Sequence, residues 1–141
     1  MQQNYNNHKQ IVYTYYLITG FPIIILIVWA IRKMLTEEGA ARETGILFLI
    51  VGWVLLTMLF RSRGFAIKAQ DRAIRAEENL RHLAMTGKVL DGRLTLSQVI
   101  ALRFASDEEF VALAQRAANE NLSNDAIKKE IKNWRADTYR V

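Results

Sequence analysis

Cysteine is absent from the 141-residue chain, so disulfide bonds, thiolate metal sites and catalysis by a thiol are excluded. Proline occurs once, at Pro22, which is typical of a mostly helical protein because proline disrupts helix interiors. Histidine occurs twice, at His8 and His82, and the chain has neither a glycine-rich phosphate loop nor a dinucleotide-binding fingerprint. These absences leave few side chains from which an enzyme active site could be built.

Charge is missing from two apolar runs, residues 11–31 and 45–60. As a helix, the first run is about 31 Å long, which matches the hydrocarbon thickness of a bilayer. The second would cover only about 24 Å, so flanking cations would have to reach toward the headgroups or the bilayer would thin locally. The leader before the first run carries a single cation and no convincing cleavage site follows. We therefore predict two uncleaved transmembrane helices.

The predicted fold is all-α: a two-span transmembrane hairpin whose second span continues into a long cytoplasmic helix, followed by a small three-helix domain. Gly64 is the only breaker between residue 60 and Gly87, so the long helix is expected to end near Met85. The predicted segments are an N-terminal cytoplasmic segment (1–10), transmembrane helix 1 (11–31), an external loop (32–44), transmembrane helix 2 (45–60), a juxtamembrane amphipathic basic helix (61–86) and the helical domain (94–137).

Three helix starts are predicted within the C-terminal domain. Thr95 with Gln98, and Ser106 with Glu109, have the spacing of a capping box, and a third helix is expected to begin near Ser123 or Asn124. Apolar residues recur at helical spacing behind each start, which predicts one small shared core.

The excess positive charge follows the second apolar run: residues 61–93 contain eight basic and four acidic side chains. Two spans place both termini on one side, and counting cations near the spans favours both termini in the cytoplasm. The same cations could bind anionic lipid headgroups or act only as topology determinants, and both interpretations remain open. We call these residues the basic juxtamembrane group: Arg61, Arg63, Lys68, Arg72 and Arg75.

Alanine and leucine residues recur along the long helix at steps that alternate between three and four residues, which is the spacing of heptad positions a and d. This pattern permits either an interface with another helix or packing of the helix on its own C-terminal domain. We call it the seam: Ala66, Ala69, Ala73, Ala76, Leu80 and Leu83. Within the spans, Gly45 and Gly52 stand seven residues apart and predict close packing of the two helices.

Other candidate sites have simple structural interpretations. The acidic triplet 107–109 occupies the first turn of a predicted helix, where negative charge suits the helix dipole. The last helix carries a basic face, but residues 94–141 are neutral overall (seven basic and seven acidic), which argues against nucleic-acid binding. His8 and His82 lack carboxylates at ligand spacing. We therefore expect no cofactor, no metal and no small-molecule substrate.

Three stretches carry a resemblance to a known family: residues 3–8, residues 98–107 and residues 131–137. Together they resemble a family of small bacterial two-span inner-membrane proteins of unknown function, of the type found in Bacteroidetes. The resemblance implies the architecture and a cytoplasmic-membrane location, and no activity. It leaves Leu102, Phe104 and Trp134 as either core residues or an interaction surface, and we favour the core.

The sequence predicts a non-catalytic role as an accessory or scaffolding subunit of a membrane assembly, or as a homo-oligomer. The expected partners are a bilayer with anionic headgroups and other membrane subunits or further copies of the chain. Two alternatives remain: a membrane-tethered adaptor whose helical domain recruits a soluble partner, and an oligomeric pore. The pore is less favoured because neither span contains an ionisable residue.

Overall fold

The structure is a computed structural model that describes residues 3–7 and 13–137. Within those residues the fold is all-helical, with five helices and no strand. The described residues form two compact units, one of residues 13–66 and one of residues 3–7 together with 67–137, and each is described separately. The helices are α1 (Tyr13–Thr36), α2 (Gly39–Thr86), α3 (Leu96–Leu102), α4 (Asp107–Glu120) and α5 (Asn124–Glu130).

The first unit is a hairpin of α1 and the N-terminal part of α2. Its connector is much shorter than the predicted loop of residues 32–44, because α1 continues to Thr36 and α2 begins at Gly39. The charged residues there end the apolar run but not the helices, since lysine, arginine and glutamate are good helix formers. Gly39 has a φ of +54°, the left-handed conformation that glycine adopts without strain, and this allows the chain to turn within a few residues.

A π-helical turn, Tyr16–Gly20, interrupts α1. It ends two residues before Pro22, whose ring has no N–H and displaces the carbonyl four residues earlier. The wider turn accommodates this displacement, as π-turns do elsewhere. The Thr19 hydroxyl donates a hydrogen bond to the carbonyl of Tyr15 within the same turn.

The two helices of the hairpin pack closely together at Gly45 and Gly52 of α2. A Cβ atom added to Gly45 would lie 2.8 Å from the Met34 nitrogen and 3.0 Å from the Ala30 carbonyl oxygen. A Cβ atom on Gly52 would lie 2.6 Å from Cγ1 of Ile27. The structure thus places both predicted span-packing glycines against α1.

Apolar side chains cover the outside of the hairpin. Only 6% of the most apolar window of α1 and 17% of that of α2 is buried. Trp53, in the middle of the second apolar run, is 66% exposed. The core helix of a soluble protein would also be apolar but mostly buried. The exposure of these side chains, together with their apolar composition, therefore distinguishes the hairpin from such a helix. Both helices are long and apolar enough to span a membrane.

The second unit contains the rest of α2 and the three short helices. Helix α2 ends at Thr86, one residue beyond the predicted end, and Gly87 terminates it with a φ of +73°. Helices α3 to α5 pack around a single core with the loop that precedes them. The buried core residues are Leu90, Leu94, Val99, Ala101, Leu102, Phe104, Ala105, Phe110, Leu113, Ala114, Ala117, Ile127 and Ile131.

The core interpretation of the resemblance residues is correct. Leu102 and Phe104 are fully buried, and Trp134 packs against the core with its ring 5.2 Å from that of Phe104. An isolated antiparallel bridge joins Ala105 to Trp134, which ties the segment after α5 to the turn between α3 and α4.

Two of the three predicted helix caps form. Thr95 and Gln98 make the capping box of α3, and Ser123 accepts a hydrogen bond from the Ala126 amide at the start of α5. The capping box predicted at Ser106 and Glu109 is wrong. Ser106 makes no side-chain cap and its hydroxyl donates to Glu108, while the Glu109 carboxylate accepts from backbone amides beyond α5 instead of from the amide of Ser106.

Replacing Gly45 by alanine should weaken the hairpin, whereas the same change at Gly64 should strengthen α2. A Cβ at Gly45 meets backbone atoms, an overpacking cost of about 1–3 kcal/mol. A Cβ at Gly64 meets nothing within 4 Å and gains helix propensity of about 1 kcal/mol. Unfolding by SDS titration from a mild detergent, followed by tryptophan fluorescence, measures both. Equal shifts for the two variants would contradict the packing described.

Candidate functional site

Helix α2 presents two different faces between residues 66 and 86. One is the seam. The other, which we call the domain face, consists of Ile74, Glu78, Arg81 and His82, and it packs on the C-terminal helical domain. Ile74, Glu78 and His82 are buried, and the Arg81 side chain is only 11% exposed. The domain therefore uses a polar face of the helix for its main contact.

Arg81 is at the centre of the domain face. Its Nε donates to the Asp107 carboxylate at 2.8 Å, Nη1 donates to Glu78 at 3.0 Å, and Nη2 donates to the Ala105 carbonyl at 2.8 Å. The guanidinium carbon also lies 4.2 Å from the ring centroid of Phe110. The planar fork of donors suits arginine to contact several acceptors at once. This side chain joins α2 to both ends of the turn before α4.

Glu78 is a buried carboxylate, only 4% exposed. It pairs with Arg81 at 3.0 Å and with Arg135 at 3.6 Å. A buried charge is costly unless it is paired, so the two arginines are what allow Glu78 to lie in this contact. The pair 78/81 has the i, i+3 spacing of a helical ion pair and lies opposite the seam. That spacing was the signal in the sequence from which this contact could have been found.

The histidines show no metal chemistry among the described residues. His82 is buried, with Nδ1 2.7 Å from the Lys88 carbonyl oxygen and its ring edge toward Phe110. A carbonyl only accepts, so Nδ1 carries the proton and donates it. His8 lies outside the described residues. In residues 3–7 and 13–137 no group of three histidine, aspartate or glutamate side chains could hold a metal ion.

Each residue of the acidic triplet has a structural partner. Asp107 binds Arg81, and Glu108 accepts a hydrogen bond from the Ser106 hydroxyl at 2.8 Å. Glu109 accepts from two successive backbone amides, those of residues 132 and 133, each at 3.0 Å. Asp107 therefore joins the start of α4 to α2, Glu109 joins it to the segment after α5, and Glu108 bonds to the residue just before α4.

The N-terminal segment contacts the C-terminal domain, a feature that the sequence analysis did not find. The Tyr5 hydroxyl donates to Asp125 at 2.6 Å, and the Lys129 ammonium lies 5.6 Å from the Tyr5 ring centroid. The Gln3 side-chain oxygen accepts from the Asp137 amide at 2.7 Å. These five residues form what we call the terminal clamp. More than 115 residues separate the partners, so no local pattern indicates the contact.

Hydrogen bonding in the clamp changes two pKa values in opposite directions. The bond from Tyr5 is the largest cause that lowers the pKa of Asp125, with Lys129 second. The same bond raises the pKa of Tyr5, because deprotonation would place two anions together. The clamp therefore requires a protonated phenol and an ionised carboxylate.

Elsewhere in the domain, the Arg93 side chain lowers the pKa of Asp91 to about 2.

The seam faces away from the domain. Ala66 is half-buried, Ala69, Ala73 and Ala76 are exposed, and Leu80 and Leu83 are 66% and 41% exposed. The interpretation that α2 packs its seam on its own domain is therefore wrong. The domain packs on the other face instead, where Arg81 and Glu78 form ion pairs with it and the His82 ring packs against Phe110. Whether the seam forms an interface stays a prediction.

The basic juxtamembrane group is mostly exposed. Arg63 is half-buried, with its guanidinium 5.7 Å from the Tyr16 ring centroid, and the other four residues are exposed. In the described part of the chain none of the five forms an ion pair. The cations at the C-terminal end of the chain differ: Lys129 in α5 pairs with Asp125, and Arg135 after α5 pairs with Glu78. Internal partners thus occupy cations there that a nucleic acid would need.

Comparison with known proteins identifies a family without an assigned activity. A family model matches residues 1–141, and the family is described as a family of unknown function (DUF6526). The chain belongs to this family. No curated protein and no solved structure matches it.

Replacing Arg81 by methionine should destabilise the C-terminal unit by about 3 kcal/mol, because it leaves the buried Glu78 with only the longer contact to Arg135. Arg116 is the matched control. Its two ion pairs are solvent-exposed, so Arg116→Met should have little effect. Denaturant unfolding of the full chain in detergent, monitored by amide hydrogen exchange in α4, distinguishes them. Equal destabilisation by both variants would contradict the role given to Arg81.

The terminal clamp should open at both extremes of pH. The contribution of Asp125 to the stability of the clamp is present above its ordinary pKa of 3.8 and is lost as the pH falls through its lowered pKa in the folded protein. The contribution of Tyr5 to the stability of the clamp is present below its ordinary pKa of 10.0 and is lost as the pH rises through its raised pKa in the folded protein. Spin labels on Asn6→Cys and Lys132→Cys should give a narrow distance distribution at pH 7 and broad ones once the pH lies well below 3.8 or well above 10.0. Tyr5→Phe should broaden it at pH 7, and a distribution that ignores both pH and the substitution would contradict the clamp.

Proposed function

We propose that this member of the DUF6526 family is a non-catalytic integral membrane protein of a bacterial inner membrane. In this proposal α1 and the first part of α2 cross the bilayer as a hairpin, and both termini are cytoplasmic. The hairpin holds a small helical domain at the membrane surface, where the protein acts as an accessory or scaffolding subunit of a membrane assembly. The assembly is built from other membrane subunits or from further copies of the chain.

The observation that carries the topology is the terminal clamp. A contact between Tyr5 and Asp125 requires the two ends of the chain to share one compartment. An even number of crossings satisfies this requirement, and the two helices long and apolar enough to span a membrane supply two. The near-total exposure of their side chains supports a lipid environment, because water would not tolerate so large an apolar surface.

The scaffolding role is supported by the way the domain uses its charges. The carboxylates of the acidic triplet, Glu78 and Arg81 all serve contacts within the domain or with α2. Groups held in this way position the domain rather than react with a substrate. What the chain offers to a partner is the exposed seam, and what it offers to anionic headgroups is the basic juxtamembrane group.

The alternative is a membrane-tethered adaptor that recruits a soluble partner. It is favoured by the C-terminal domain, which has its own buried core. The two roles differ in what a partner contacts. A scaffold stays assembled when only the surface of α3 to α5 is changed, whereas an adaptor loses its partner.

Cysteine labelling tests the proposed topology, and the chain has no native cysteine to interfere. Glu38→Cys lies in the connector between α1 and α2, and Lys132→Cys lies after α5, and both side chains are exposed. In intact cells a membrane-impermeant maleimide should label Glu38→Cys and spare Lys132→Cys. Permeabilised cells should label both, which serves as the control. Labelling of Lys132→Cys in intact cells, or of neither variant after permeabilisation, would contradict the proposal.

A further inference from the structure

We infer that the seam is the interface of a parallel dimer of this chain, with its register set by an ion pair between Arg72 of one copy and Glu77 of the other. The inference rests on the proposed function, because insertion of both copies in the same direction is what makes their long helices parallel.

The heptad positions show that a second copy can reach the seam without displacing the domain. Take Ala66, Ala73 and Leu80 as a positions and Ala69, Ala76 and Leu83 as d positions. The domain face then occupies positions b, c and f, which lie on the opposite side of the helix from a and d. The domain of each copy therefore stays outside a two-helix contact.

The flanking charges are complementary in one orientation only. Arg72 occupies a g position and Glu77 occupies the e position of the next heptad. In a parallel pair, the g residue of one helix faces the e residue of the following heptad in its partner. The symmetry of a dimer produces this contact twice. In an antiparallel pair, g positions face g positions instead. Arg72 of one copy would then not face Glu77 of the other.

Both charges are available for this contact. Arg72 and Glu77 are exposed, and neither forms an ion pair in the part of the chain that the structure describes. By contrast, the neighbouring Glu78 is buried and paired twice within the chain. Two adjacent glutamates are thus used differently, one for the domain face and one left on the seam side.

The C-terminal end of the seam carries its two largest apolar groups. Leu80 is 66% exposed and Leu83 is 41% exposed within the chain. They occupy an a and a d position, where a second helix would bury them.

Cysteine crosslinking tests the interface in native membranes. Ala73→Cys and Ala76→Cys occupy a and d positions, where the two copies approach most closely. Lys68→Cys and Arg75→Cys occupy c positions of the same helix and serve as controls. Mild oxidation should give a disulfide-linked dimer from the a and d variants at least about fivefold more than from the controls. Equal crosslinking at c positions, or none at a and d, would overturn the interface.

Charge exchange tests the register. In the Ala76→Cys background, Arg72→Glu and Glu77→Arg should each lower the crosslinked fraction several-fold, because each places like charges together. The double variant Arg72→Glu/Glu77→Arg should restore it. A double variant no better than the singles would overturn the pairing, provided that circular dichroism shows unchanged helix content in all three.

The same membranes separate this inference from the proposed function. If the maleimide topology is as expected and the seam cysteines do not crosslink, the dimer is wrong and the membrane scaffold stands. If the topology fails, the parallel arrangement loses its basis and both proposals fall together.

Discussion

The fold depends on the contrast between two apolar runs that lack charge, residues 11–31 and 45–60, and a chain that is otherwise rich in charge. The outer surface of the α1–α2 hairpin is apolar and exposed, and both helices are long and apolar enough to span a membrane. A helix is suited to lipid because its backbone hydrogen bonds are internal. In the function that we propose, lipid rather than a protein core covers this surface.

A second constraint acts at the C-terminal end of α2. A buried carboxylate, Glu78, must be paired, and Arg81 and Arg135 satisfy it from α2 and from the segment after α5. The pairing holds the domain on one side of α2. It therefore determines which side of that helix stays open. The exposed seam is a consequence of how the buried charge is satisfied, and this connects the packing of the domain to the proposed dimer.

Much of the architecture could be predicted from local sequence pattern. Charge-free runs, the single breaker between residue 60 and Gly87, and the Thr95–Gln98 spacing are all visible within short stretches of sequence. The predictions are wrong where residues that are distant in the sequence take the contact that the local pattern predicts. Glu109 does not cap its own helix because amides 23 and 24 residues away bind it. The seam does not face the domain because paired charges on the other face outcompete alanine as a contact. The Tyr5–Asp125 hydrogen bond joins residues that are 120 apart in the sequence, and no local sequence pattern predicts such a contact.

Extraction of native membranes at alkaline pH tests the central claim most directly, because it removes peripheral proteins and leaves integral ones in the bilayer. The account predicts that the full chain stays in the membrane pellet and is released only by detergent. Recovery of the chain as a soluble monomer in buffer without detergent, with residues 13–36 and 45–60 folded inside it, would contradict the account.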